Sequence, residues 1–197
     1  VYLNYAEAKA ELGPVAQSDL DVSVNLLRQR AGVSPLNLTA ANNTPDQYLT
    51  SPKTGYVNVS GSNAGVILEI RRERTIELIC EGHRYWDIMR WKEGWRFTRE
   101  CTGMYISGAQ NYDFDGDGQD DFCVYEGNVE PDSKIPAKAS ISSLNLTDRS
   151  SGNIVRHTTY ERVWREDRDY LYPIPTDDIE LTNGAIKQNP NWNDGMN

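Results

Sequence analysis

The run from Ile67 to Trp91, ILEIRRERTIELICEGHRYWDIMRW, constrains this chain more than any other stretch: it has no proline and one glycine, Gly82. Leu, Glu and Arg dominate it up to Cys80, a composition that favours helix. Glu69, Glu73, Glu77 and Glu81 recur every four residues and line up as one column on a helix. Arg72, Arg74 and Arg84 stand three or four positions from members of that column. Ile67, Ile70, Ile76, Leu78, Ile79 and Cys80 leave little of the circumference polar. Such a helix must bury some of its charges as pairs, because an unpaired buried charge is costly. Gly82 interrupts it, and a second amphipathic piece follows with Tyr85, Ile88 and Met89 inward and Trp86 beside them. The sequence therefore predicts a central helical brace over 66–93, held by Arg72, Glu73, Arg74, Glu77, Glu81, Arg84 and Asp87.

Paired carboxylates also serve glycosidases as acid and nucleophile. Arginine neighbours, however, lower a carboxylate's pKa where a general acid needs it raised. The column reads as structural.

The spacing Glu73-Arg74-x-x-Glu77-Leu78, Glu81-Gly82-x-Arg84-x-x-Asp87 and Arg90-Trp91 resembles the signature of the SusD/RagB family of outer-membrane nutrient-binding lipoproteins. A second match, Tyr170-Leu171-Tyr172-Pro173-Ile174-Pro175, then Asp178-Ile179 and Gln188-Asn189-Pro190, is similar to the way members of this family end. The resemblance implies that 1–197 is the C-terminal part of such a protein. It implies a non-catalytic binder that delivers an oligosaccharide or similar nutrient to a SusC-like TonB-dependent transporter. The location it implies is the extracellular face of the outer membrane, through an upstream lipid anchor. Glycan contacts in the family have no fixed motif, so no binding residue carries across.

The formal net charge of −9 argues against nucleic acid and anionic membrane surfaces as partners. No apolar run of eighteen residues spans a bilayer. Cys80, Cys101 and Cys123 form no C-x-x-C pair; Cys80 reads as a small buried hydrophobe, and Cys101 could bridge Cys123 in an oxidising compartment, although the implied hairpin does not set the two directly opposite. His83 and His157 carry no metal-ligand spacing, and no nucleophile elbow or phosphate loop is present.

Leu3, Ala6 and Ala10 predict a first helix over Tyr2–Leu12, ended by Gly13-Pro14. Ser18 reads as the cap of a second helix carrying Leu20, Val24, Leu27 and Ala31. Together 1–32 has the shape of one tetratricopeptide-like helix pair. From Val33 to Gly65 the chain is loop-like, with Gly55–Val59 alternating like a strand. It holds the sequon patterns Asn37-Leu38-Thr39 and Asn42-Asn43-Thr44. The region 96–197 is loop-rich, with Met104–Ile106 and Phe122–Tyr125 as the arms of a hairpin and a proline-pinned, extended tail. The fold expected is α+β, predominantly α.

Between those arms lies Asp113-Phe114-Asp115-Gly116-Asp117-Gly118-Gln119-Asp120-Asp121. Carboxylates at loop positions one, three, five and nine, with glycine at six, suit calcium, which takes six to eight oxygens. Asp113, Asp115, Asp117, the Gln119 carbonyl and Asp121 are the expected ligands, and Val124 stands where calcium loops usually close with an acid. Glu126 or water would have to complete the shell. Among aromatic residues, Trp86 and Trp91 read as core. Trp95, Tyr105, Tyr112 and Tyr125 flank loops and are candidates to stack on a sugar. Two rival readings remain: a glycoside hydrolase fragment using Glu77 and Glu81, and a tetratricopeptide-type interaction scaffold.

Overall fold

A computed structural model describes residues 1–157 and 159–193. It is α+β and mainly helical, with 36% helix against 13% strand. In chain order the helices are α1 Tyr2–Leu12, α2 Gln17–Asp21, α3 Val24–Arg30, α4 Leu38–Asn43, α5 Gln47–Thr50, α6 Ala64–Glu77, α7 His83–Arg90 and α8 Thr176–Leu181. The strands are β1 Cys101–Ile106, β2 Asn111–Tyr112, β3 Phe122–Tyr125, β4 Ala137–Ser140, β5 Leu146–Asp148 and β6 Ser151–Arg156. The chain divides into two compact units, one of Val1–Arg96 with the segment from Arg165 on, the other Phe97–Trp164.

In the first unit α6 is the axis. Val66, Ile67 and Ile70 pack with Leu3, Ala6 and Ala10 of α1 and with Leu20 and Val24 of the next two helices. On another side of α6, Leu68 joins Leu49, Tyr56 and Trp91. Two apolar clusters on one helix explain why so much of its circumference is hydrophobic. Gly65 sits where α6 passes α4, and a Cβ there would run into the Ala41 carbonyl.

Several local expectations change. The second helix breaks in two at Val22-Ser23, where the Ser23 hydroxyl donates to the Asp19 carbonyl at 2.5 Å. Its start is earlier than the Ser18 cap: the Ala16 N–H donates to the Asp19 carboxylate at 2.9 Å. Gly55–Val59 forms no strand, since Tyr56 and Val59 turn inward three residues apart while Val57 stays exposed. Asn37 and Asn42 act within the fold: the first accepts from the Ala40 N–H at α4, the second from the Val66 N–H.

The α6 helix stops at Glu77, short of Cys80. Cys80 and Gly82 both adopt left-handed backbone angles, φ 64° and 77°, and turn the chain so that Asp87 of α7 can meet Arg74 of α6. Cys80 is therefore exposed in the turn, not buried.

The second unit holds two three-stranded sheets, ordered β1-β6-β5 and β2-β3-β4. Met104–Ile106 and Phe122–Tyr125 are not arms of one hairpin. The first pairs with β6 some fifty residues on, and the second with β2 antiparallel and β4 parallel. Cys101 and Cys123 consequently lie on different sheets, and both are free thiols.

Candidate functional site

The reversal at Cys80–Gly82 brings Asp87 of α7 beneath Arg74 of α6. Both side chains are 5% exposed, and the guanidinium meets the carboxylate through Nε and Nη2 at 2.9 Å each. Arg74 also donates to Asn4 Oδ1 at 2.7 Å and lies 3.4 Å from Glu7, both on α1. Arg90 binds both Glu7 oxygens at 2.6 Å and reaches Asp87 at 2.8 Å. The Trp91 indole N–H closes the set on Glu7 at 2.6 Å. Two buried carboxylates are thus held by two guanidiniums and an indole, which ties α1, α6 and α7 together. Burial pushes the Asp87 carboxyl up, but hydrogen bonds from Arg74 and Arg90 outweigh it and hold the group below the ordinary carboxylate range.

A second nest adjoins the first. Glu93 is fully buried and takes Arg96 at 3.2 Å and the Trp95 indole at 2.9 Å, with Arg71 at 4.0 Å. Arg71 stacks over Trp91 at 4.6 Å and Arg96 over Tyr56 at 4.2 Å. Arg84 donates to the Tyr56 and Thr75 hydroxyls, both at 2.9 Å.

Glu69, Glu73 and Glu77 of the acidic column are paired, though mostly not with the arginines the spacing suggests. Glu69 pairs with Arg72, which also holds Asp46 at 2.6 Å. Glu73 pairs with Arg28 and Glu77 with Arg30, both on α3. Glu81 is exposed in the turn. Sequence reading missed Glu7, Glu93, Arg28, Arg30, Arg71 and Arg96. Glu7 had a visible signal: a lone acid between Leu3, Ala6 and Ala10 on the buried stripe of α1.

The tail closes on itself through its second motif. The Gln188 side-chain amide accepts from the Ile174 N–H and donates to the Ile174 carbonyl, both at 2.8 Å. Asn189 donates to the Tyr172 carbonyl at 2.6 Å. Pro173 and Pro175 keep that segment extended, so its backbone groups are free to be read by side chains.

In the second unit, Asp113, Asp115 and Asp117 each bring a carboxylate oxygen within 4.8 Å of the others. The Asp113 carboxylate accepts from the Gly118 and Gly116 N–H groups at 2.8 and 2.7 Å, which keeps it below its usual pKa. Asp121 stands apart from the trio and accepts from the Phe114 N–H at 2.8 Å, closing the base of the loop. Three hard oxygen donors on one tight turn fit calcium better than any softer ion.

The brace and the tail, which carry the two sequence motifs, belong to one compact unit. The sequence profile of the SusD family (SusD_RagB) matches residues 1–192. This chain belongs to the SusD family. No curated protein matches it. SusD-family proteins are known for glycan binding, are generally non-catalytic, work with SusC-like transporters and are typically outer-membrane-associated lipoproteins. Among the described residues, no helix is long and apolar enough to cross a membrane.

In this SusD-family chain the aromatic candidates separate by how far their polar ends are already used. Trp95 is half-buried with its indole committed to Glu93. The Tyr112 hydroxyl accepts from the Ser107 and Gly108 N–H groups and donates to the Gly108 carbonyl, while its ring stacks on Phe114 at 5.6 Å. Tyr125 is half-buried, and Tyr105 is exposed. Trp91 is core as expected. Trp86 is not: α7 buries Asp87, Ile88 and Met89, while the Trp86 indole is left 59% exposed.

Proposed function

We propose that this chain serves in non-catalytic capture of an oligosaccharide or similar nutrient and its delivery to a SusC-like TonB-dependent transporter. The site of this work would be the extracellular face of the outer membrane. The family supports the reading, and one observation carries it: Glu77, one of the two carboxylates the hydrolase reading needs, and the buried acids beside it are spent on arginines, which leaves exposed Glu81 without its partner acid. Glu77 is bound by Arg30, Glu73 by Arg28, and Asp87 and Glu7 by Arg74 and Arg90. Oxygens taken up by guanidiniums are not free to protonate a leaving group, and for Asp87 the same arginines hold the carboxyl below its ordinary range. Capture would use preformed aromatic and polar surface, with Tyr105 a candidate ring in the second unit.

We also propose calcium at the Asp113–Asp121 loop, held by Asp113, Asp115 and Asp117. Bound there, the ion would neutralise neighbouring carboxylates and order the turn between β2 and β3.

Native electrophoresis through gels containing soluble polysaccharides, with a parallel assay for reducing ends, tests the main proposal. Retarded migration without released reducing ends is expected. Released reducing ends would put the hydrolase reading in its place.

A further inference from the structure

Along the outer side of α7, the C-terminal tail leaves an open cleft of about 420 Å³ walled by Trp86, Met89, Lys92, Tyr170, Leu171 and Tyr172. Trp86 and Tyr172 are each 59% exposed, an unusual amount of ring for one small cleft. Neither ring is loose. Tyr85 packs edge-on against Trp86 at 5.2 Å and 82°, and its hydroxyl meets that of Tyr172 at 2.7 Å. The Tyr170 hydroxyl is fixed between the Gly94 N–H at 2.9 Å and Glu166 at 2.7 Å.

The charge lining this cleft is positive in a chain of net charge −9. Arg90 at its rim is saturated by Glu7 and Asp87. Lys92 differs. Its ammonium lies 4.1 Å from the Tyr170 ring centroid, and no carboxylate among the described residues pairs with it. Its backbone is left-handed, φ 58°, at the end of α7, a conformation that favours glycine. Asn58 donates to its carbonyl at 2.9 Å and holds that turn. Lys92 therefore brings into the cleft that Trp86 and Tyr172 also line a cation held over the Tyr170 ring and unpaired with any carboxylate among the described residues.

We infer that this cleft binds a uronic-acid unit of an acidic oligosaccharide, its ring faces against Trp86 and Tyr172 and its carboxylate on Lys92. Flat rings offer area to the apolar faces of a pyranose with little loss of rotamer freedom. An ammonium–carboxylate hydrogen bond adds selection for the acid over the neutral sugar. The inference rests on the glycan-binding reading and names its ligand class.

Calorimetric titration with trigalacturonate and with neutral galactotriose tests it, on the parent, Trp86→Ala and Lys92→Gln, with circular dichroism confirming that both variants are folded. The parent should bind the acidic trisaccharide at least about tenfold tighter than the neutral one. Lys92→Gln should remove that preference, and Trp86→Ala should weaken both ligands. Equal affinity of the parent for the two sugars, or binding untouched by both substitutions, overturns the cleft while leaving glycan capture standing. A parent that binds neither these sugars nor any polysaccharide in the gels overturns the glycan reading itself.

Discussion

The guanidinium of Arg74 grips the carboxylate of Asp87 through two donors at 2.9 Å, across the reversal that separates α6 from α7. Glu7 of α1 enters the same pair from the side, 3.4 Å from Arg74 and bound twice by Arg90. Three helices from separate stretches of chain thus share one set of buried charges. Such a set fixes how the helices meet, because any slip strands an ion away from water.

Burial, not motif membership, decides what each charge is worth. Glu77 belongs to the same signature, yet its partner Arg30 is 65% exposed and Glu77 itself 27%. Glu77→Ala should lower stability by less than about 1 kcal/mol. A urea midpoint close to the parent's is the expected result.

Acid should loosen the brace through Asp87. Its folded pKa is depressed, so its contribution is complete above the unfolded value, about 3.9, and is lost as pH falls below that through the folded value. Thermal unfolding followed from pH 6 to pH 2 should show the parent losing stability below about pH 4. Asp87→Asn, less stable at neutral pH, should show a shallower acid slope.

The tail predicts its own test. Gln188 satisfies both backbone groups of Ile174, and the site is half-buried. Gln188→Ala should cost about 1–3 kcal/mol, the loss of two neutral hydrogen bonds with their backbone partners left inside. Protease digestion should then cut first within the Tyr170–Pro175 segment.

Much of this was legible because it is local. Leu3, Ala6 and Ala10 marked α1 to the residue, and Gly82 marked the break in the brace. The pairing of Glu73 and Glu77 with Arg28 and Arg30 was not, since it depends on where α3 lies against α6. The β1–β6 pairing failed for the same reason: short strands fifty residues apart carry no local sign of their partner. Trp86 shows a different limit. Helical spacing gives a stripe its neighbours but not the width of the surface it packs on, and one aromatic was left outside. The acidic loop was legible as a pattern, and three of its carboxylates converge, while Asp121 turned to the Phe114 backbone.

That loop makes a quantitative expectation. With three converging carboxylates and no acid at the closing position, calcium affinity should be weak, on the order of 10⁻⁴ M. Calorimetry on chelator-stripped protein should give heat that Asp115→Asn abolishes, and millimolar calcium should raise the melting temperature. Absence of both effects would mean a solvated acidic turn.

Whether the signature is an internal brace is tested by urea unfolding of Arg74→Ala, Asp87→Ala and the double variant. Each single change should cost about 3–5 kcal/mol, because it takes from a buried charge its two-donor partner and leaves only Arg90 to Asp87, or Glu7 to Arg74. The double variant should cost clearly less than the sum of the two. Midpoints equal to the parent's in all three would contradict this and mean that the Arg74–Asp87 pair braces nothing.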